Sequence, residues 1–223
     1  MCSDSTKSSN VRTSGVNAQM VVHSGESGPT EVRVRVRVGG TFSNTFLTIA
    51  DGDALTAENG TDKVSLDSVT GLIAAPSNDG NLPTDSGGRT ITVKFARPHD
   101  TSALASTVVM PASFGFASPR AGELFDSAHP RVVVTWSPPS SDALEWSFRG
   151  TCVENKSGLE AVDTGRLEVT LVAGHDADGG RLGPCDVTFH LSRTRTGKLD
   201  PAFGEGGSIV ATQDRDRVIH FTP

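Results

Sequence analysis

The feature that most constrains the fold of this sequence is a perfect alternation of charged and apolar residues near its N-terminus. From Glu31 to Val38 the chain reads EVRVRVRV, with valine at every second position. Successive side chains of a β-strand point to opposite faces of a sheet, so this pattern predicts a strand with one buried face. Gly39 and Gly40 then end the strand.

Short apolar or alternating runs recur along the rest of the chain. Asp51-Gly52 and Asn59-Gly60 are typical turn pairs, and the 24 glycines and 12 prolines of the chain indicate many more turns. This spacing predicts an all-β fold of the β-sandwich type. The further predicted strands cover residues 45–50, 54–58, 63–67, 72–75, 90–96, 131–136, 144–152, 166–172, 186–196 and 208–221.

Composition divides the chain into four segments. Residues 1–29 are mostly polar and predict a flexible tether, and residues 30–98 predict a first β-sandwich module. Residues 99–116, which contain a proline, predict a linker. Residues 117–223 predict an immunoglobulin-like β-sandwich. The chain is therefore expected to hold tandem immunoglobulin-like β-sandwiches behind a flexible N-terminal tether.

Three cysteines carry information about the compartment. Cys152 and Cys185 are predicted to form a disulfide that closes a loop of about 34 residues, worth about 4 kcal/mol in the chain-entropy model. Such a bond indicates an oxidising, extracytoplasmic compartment; the alternative is two buried thiols in a cytosolic protein. Trp136 precedes both cysteines and the chain has no tyrosine, so the likeness to antibody domains is one of architecture alone.

The third cysteine, Cys2, is followed by Ser3, Asp4 and a polar run. This arrangement is similar to the mature start of a bacterial lipoprotein and predicts an acylated cysteine that anchors the chain to a membrane. The alternative is an incidental cysteine in a disordered leader. The sequence contains no run of 18 apolar residues that would span a bilayer.

Three stretches together resemble a family of envelope lipoproteins of GC-rich Gram-negative bacteria. They are FLTIADGDALTAENG at residues 46–60, STVVMPASFGFASP at 106–119 and TGKLDPAFGEGGSIVATQDR at 196–215, with VTWSPP between the last two. The third stretch also resembles one copy of the LDxxFGxxG core of delta-60 repeats, which is too little to imply a propeller. The resemblance implies an envelope-facing β protein and no particular activity.

Two groups of residues are candidate ligand sites. Arg33, Arg35 and Arg37 are expected in a row, about 7 Å apart, on the face opposite the valines. Guanidinium groups pair with the phosphate or carboxylate groups of lipids and polysaccharides, although such a row also suits a solvated face or an edge strand. Trp146 is a candidate for stacking on a sugar, and its alternative role is core packing.

A calcium site is the only cofactor that the sequence suggests. Asp176 and Asp178 alternate before Gly179-Gly180, and alternate carboxylates beside a glycine turn can direct several oxygens at one calcium ion. The rest of the EF-hand pattern is missing, so an ordinary turn rich in Asp and Gly is the favoured explanation of the segment.

Charge and motifs narrow the function. The formal net charge of −6 leaves no basic footprint for nucleic acid, and no catalytic motif is recognisable. We therefore expect a non-enzymatic envelope lipoprotein, structural or ligand-presenting, with a membrane reached through its lipid and a protein or glycan as partner. The alternatives are a secreted module that binds carbohydrate or calcium, and an enzyme on a β scaffold with no assignable residues.

Overall fold

The computed structural model describes residues 4–26, 28–70, 75–175, 178–180 and 182–223, and within them the all-β prediction is confirmed. Every regular element in these ranges is a β-strand except two 3-10 turns, Ser8–Asn10 and Thr13–Gly15. None of the described elements is a helix that could cross a membrane. The strands are β1 (Asp4–Lys7), β2 (Val16–Ser24), β3 (Thr30–Val38), β4 (Thr45–Thr48), β5 (Ala54–Glu58), β6 (Lys63–Ser65), β7 (Asp67–Val69), β8 (Ser77–Leu82), β9 (Thr90–Ala96), β10 (Ala103–Val109), β11 (Gly115–Ser118), β12 (Leu124–Asp126), β13 (Arg131–Ser137), β14 (Leu144–Gly150), β15 (Lys156–Glu160), β16 (Arg166–Thr170), β17 (Cys185–Thr196) and β18 (Ser208–Thr222).

The chain divides into two compact units, and each is discontinuous in sequence. The N-terminal unit comprises Met1–Pro111 and Arg195–Thr212, and the C-terminal unit comprises Ala112–Thr194 and Gln213–Pro223. The division differs from the expected modules at 30–98 and 117–223, because β17 and β18 each contribute residues to both units. Pairing between strands far apart in sequence leaves no local signal, so composition could not locate this boundary.

The N-terminal unit is a sandwich of two sheets. One sheet has the order β1-β4-β3-β2-β18, with β8 also paired to β3 and β7 to β8; the other has the order β10-β9-β5-β6. The alternation in β3 has the predicted effect, because Val32, Val34 and Val36 are almost fully buried and Val38 is partly buried. They share one apolar cluster with residues of the facing sheet such as Ile91, Val93 and Phe95.

The prediction of a flexible tether at residues 1–29 is wrong for the part of the segment that the structure describes. β2 lies beside β3 over eight paired positions, from Val16 opposite Val38 to His23 opposite Glu31. The even-numbered residues of β2 from 16 to 22 are buried in the core. The valine face of β3 thus needs this neighbour, and burial of an alternating apolar face outweighs the polar composition of the surrounding segment.

A buried arginine attaches the residues before β2. Arg97 donates to the backbone oxygens of Ser8 at 2.6 Å and Val11 at 2.8 Å, and its Nε lies 3.1 Å from a carboxylate oxygen of Asp53. The side chains of Arg97 and Asp53 are both almost fully buried. One guanidinium therefore satisfies carbonyl groups that have no partner in a β-ladder.

The linker predicted at residues 99–116 is also corrected. Its residues 103–109 form β10, which pairs with β9 and buries Ala103 and Val108. Pro111, the proline of this segment, lies just after the strand, and Pro98 lies before it. Proline is compatible with strand ends because it removes a donor only outside the ladder.

The LDxxFGxxG segment packs against the core of the N-terminal unit. Phe203 is buried, and its ring stacks on Phe95 with centroids 6.1 Å apart. A Cβ at Gly204 would lie 2.7 Å from the backbone oxygen of Ser14, so a side chain is excluded there. Asp200 accepts hydrogen bonds from backbone N–H groups of β10 and of its own turn. The motif residues therefore have structural roles within a single copy.

The C-terminal unit is a second sandwich. The sheet order β18-β17-β14-β15 faces the order β11-β13-β16, and β12 pairs with β18. Trp136 is buried in the apolar cluster of this unit, as expected for a core residue. Cys152 and Cys185 form the predicted disulfide, with their Cα atoms 5.7 Å apart.

Candidate functional site

The arginine row of β3 lies on the face of its sheet opposite the buried valines, where Arg33 is exposed, Arg35 and Arg37 are half-buried, and Asn17 of the neighbouring strand is fully buried. The register with β2 places Val21 opposite Arg33, Gln19 opposite Arg35 and Asn17 opposite Arg37. Directly opposed residues of antiparallel strands project to the same face, so these side chains form one surface. We call this surface, comprising residues 17, 19, 33, 35 and 37, the arginine face.

The three arginines of this face differ in their partners. Arg33 Nε lies 3.0 Å from a carboxylate oxygen of Asp79, which β8 places directly opposite it. Arg37 donates to the backbone oxygen of Thr41, and its guanidinium carbon lies 5.0 Å from the centroid of the Phe46 ring. The side chain of Arg35 makes no hydrogen bond or ion pair with any residue that the structure describes. The structure thus confirms the common face and separates one neutralised arginine from two that lack a carboxylate partner.

Trp146 lies on β14, next to the edge strand β15 of the C-terminal unit. Its ring is half-buried and stacks on the buried ring of Phe148, with centroids 6.3 Å apart. Its indole N–H donates to Glu160 at 3.2 Å. Gly158 lies opposite it on β15, and a Cβ there would approach the indole to 2.6 Å. The ring therefore lies flat on the backbone of β15, and sugar binding by Trp146 stays a prediction.

The remaining candidate residues lie partly outside the described residues. Cys2 and Asp176 both do, so neither acylation nor the complete calcium turn can be placed. Asp178 is described and is part of a turn. Across the described ranges, no three His, Cys, Asp or Glu side chains come together as metal ligands. Calcium binding stays a prediction, and a thermal shift at millimolar calcium would test it.

The comparisons with known proteins identify no family. No protein-family model matches the chain, and no curated protein matches it. Among solved structures, CBD12 from CALX1.2 matches at 12% identity and a TM-score of 0.25, over 90% of this chain and 100% of that one. The FN1–FN3 domains of chicken CNTN1 match at 10% identity and a TM-score of 0.23, over 92% of this chain and 64% of that one. The adhesin InvE of Yersinia pseudotuberculosis matches at 14% identity and a TM-score of 0.23, over 92% of this chain and 58% of that one. Scores this low carry no argument, so the all-β assignment rests on the strands themselves.

Sequence reasoning missed two residues of the arginine face. Asn17 and Gln19 belong to the segment that was interpreted as a tether, so their side chains were not assigned to a sheet. The signal was present, since Val16, Ala18 and Met20 alternate with them. A search for an alternating strand able to pair beside β3 would have found it.

Proposed function

We propose that this chain is a non-enzymatic, extracytoplasmic protein that serves a structural or ligand-presenting role in the cell envelope. The observation that carries the proposal is the disulfide between Cys152 and Cys185. Disulfides persist in oxidising compartments and are rare in the reducing cytosol. Cys152 is almost fully buried in the apolar cluster of the C-terminal unit, so the bond joins the interior of the sandwich to β17.

Thiol counting on native material tests the compartment. The protein is taken from cells under conditions that trap free thiols, denatured, alkylated and measured by mass spectrometry. We expect Cys152 and Cys185 to escape alkylation until a reductant is added. The double variant Cys152→Ser/Cys185→Ser is the control for background labelling. Alkylation of both cysteines in untreated material would remove the argument for an oxidising compartment.

Acylation of Cys2 would make the protein a lipoprotein. Because β1 begins at Asp4, only one residue separates Cys2 from the first strand. An acyl group on Cys2 would therefore hold the N-terminal unit directly at the membrane surface, with no spacer between them. Mass spectrometry of the native N-terminus measures the modification, and Cys2→Ala is expected to move the protein from the membrane fraction to the soluble fraction. An unmodified Cys2 in the membrane fraction would contradict the proposal.

A secreted module that binds carbohydrate is the second candidate function. It is favoured by the guanidinium groups of Arg35 and Arg37, which are half-buried and have no carboxylate partner among the described residues. Membrane fractionation distinguishes the two candidates, because a secreted module is expected in the soluble extracellular fraction whether or not Cys2 is present.

A further inference from the structure

Phe42 is the most exposed of the large apolar residues that the structure describes. It is 96% exposed, compared with 78% for Leu124. Phe42 lies in the turn between β3 and β4, whose residues 39–44 read GGTFSN and carry no charge. We call these six residues the Phe42 turn. Its phenyl ring can enter an apolar phase without removing a charged side chain from water.

Hydrogen bonds on both sides of Phe42 hold this turn. The backbone N–H of Ser43 donates to the backbone oxygen of Gly40 at 3.0 Å. The hydroxyl group of Thr41 donates to the backbone oxygen of Gly206 at 2.9 Å, which attaches the turn to a neighbouring segment of the N-terminal unit. The backbone around the ring is therefore fixed, and its direction presents the ring to the surroundings of the protein.

The register of β1 with β4 places the start of β1 beside the same turn. The two strands are parallel, and Asp4 lies opposite Thr45. Parallel strands begin at the same end of a sheet, so β1 begins at the end where the Phe42 turn leads into β4. Cys2 precedes Asp4 by two residues, so the covalent chain keeps its Cα within about 7 Å of the Cα of Asp4. A lipid on Cys2 and the ring of Phe42 thus belong to one end of one sheet.

We infer that the Phe42 turn is a second membrane contact beside an acylated Cys2, with its phenyl ring among the lipid acyl chains. This inference rests on the proposed acylation and goes beyond it by naming the surface of the N-terminal unit that faces the bilayer. Apolar side chains of interfacial elements enter the boundary between headgroups and acyl chains by about 5–10 Å. A turn without charged side chains suits this position, because charge resists entry into the apolar region.

A second copy of the chain fits this surface less well than a bilayer does. A stable dimer buries about 800 Å² on each partner, whereas the Phe42 turn offers one ring among polar residues. Attraction to anionic lipid does not explain the contact either, because the exposed residue next to Gly206 is the acidic Glu205. The contact is therefore apolar, and vesicles of zwitterionic phosphatidylcholine are the appropriate probe.

Fluorescence quenching on such vesicles tests which end of the sheet faces the bilayer. When the disulfide is formed, Cys2 is the one thiol left among the three cysteines, so it can be coupled to a maleimide-bearing phospholipid in the vesicles. This coupling supplies the anchor whether or not cells acylate Cys2. The full-length Phe42→Trp variant is then compared in vesicles with and without brominated acyl chains, which quench a tryptophan that contacts them. The unmodified chain gives the background of its two tryptophans.

His99→Trp is the matched control. His99 is exposed in the turn between β9 and β10. Its neighbour Pro98 lies beside Gly52, in the turn that follows β4, so the control position is at the opposite end of β4 from Phe42. We expect brominated lipid to reduce the emission of Phe42→Trp beyond that of the unmodified chain, and His99→Trp to match the unmodified chain. Thermal melts of both variants check that the fold is retained.

Two results would overturn the inference. One is quenching of Phe42→Trp that does not exceed the quenching of His99→Trp. The other is a dimer of the uncoupled chain in analytical ultracentrifugation that Phe42→Ser abolishes, which would assign the ring to an interface between copies. An unmodified Cys2 in native protein would refute the acylation itself. A negative quenching result refutes the orientation alone, because the coupling has already supplied the anchor.

Discussion

Removing the carboxylate of Asp163 is expected to destabilise the C-terminal unit strongly. Asp163 accepts hydrogen bonds from Arg193 Nε at 2.7 Å, Trp136 Nε1 at 2.7 Å and the backbone N–H of Gly165 at 2.9 Å. The side chains of Asp163 and Arg193 are fully buried. Asp163→Ala leaves all three donors without this acceptor and leaves a buried cation without its counter-charge. Breaking a buried pair in this way costs about 3–5 kcal/mol.

The magnitude follows from what remains around Arg193. Its other donors bind the backbone oxygens of Ala112 and Pro138, at 3.0 and 2.6 Å, and its guanidinium lies 4.1 Å from the Phe114 ring centroid. These neutral partners retain the cation in the interior but do not neutralise it. We therefore expect the loss to lie near 4 kcal/mol, and Arg193→Met combined with Asp163→Ala to lose less than the sum of the two single changes.

Urea unfolding of the oxidised protein, followed by tryptophan fluorescence, measures this prediction. Both tryptophans of the chain lie in the C-terminal unit, so the signal reports that unit. Arg166→Met is the matched control, because Arg166 is exposed and its contact with Glu168 is 3.4 Å long; its expected cost is below about 1 kcal/mol. A loss under about 1 kcal/mol for Asp163→Ala, or additive losses in the double variant, would refute the reasoning.

Three further predictions concern other parts of the molecule. Arg97→Met leaves Asp53 buried without its partner, so we expect a loss of about 3–5 kcal/mol and faster amide exchange in residues 8–13; unchanged exchange there would contradict it. Gly158→Ala displaces the Trp146 ring, so we expect a loss of about 1–3 kcal/mol and altered Trp fluorescence; an unaltered spectrum would show that the ring does not lie on β15. Hydrogen bonds, chiefly from the backbone N–H of Thr13, lower the pKa of Asp100. The ionised carboxylate therefore stabilises the folded state at neutral pH, and this contribution is lost as pH falls below about 4. Asp100→Asn should flatten the acid limb of stability against pH, and an identical limb would refute this attribution.

The alternation of apolar and polar residues predicted which residues form strands and which side of each strand is buried. The alternation of β3, the strand at β9 and the buried position of Trp136 all follow from side-chain parity, and the structure confirms them. The disulfide was predicted because Cys152 and Cys185 lie in the β-rich C-terminal half of the chain with predicted strands between them, and the structure contains it. Pairing partners were not predictable in this way, because a strand's pattern specifies a buried face and does not specify which strand covers it.

The interior arginines show a second limit of sequence reasoning. Arg193 continues the inward series of Val187, Phe189 and Leu191 on β17, so parity alone places it in the core. A buried charge without a partner is strongly unfavourable, so the alternation of side chains does not by itself justify predicting a buried arginine. That partner, Asp163, is 30 residues away and outside any strand. The alternation of β17 therefore indicates an inward position for Arg193, whereas the sequence does not indicate the ion pair with Asp163 that makes this position stable.

Arg97 and Arg193 suggest a common reason for a buried arginine in these sandwiches. Each binds one buried carboxylate and two backbone carbonyls of segments outside the sheets, in the N-terminal unit before β2 and in the C-terminal unit beside Ala112 and Pro138. Irregular segments that pack on a core leave carbonyls without ladder partners, and a guanidinium has five donors with which to satisfy them. A lysine has one nitrogen and cannot bind three separated acceptors in the same geometry. Arg35 and Arg37 of β3 differ in this respect, because their Nε atoms are buried and have no hydrogen-bond partner among the described residues.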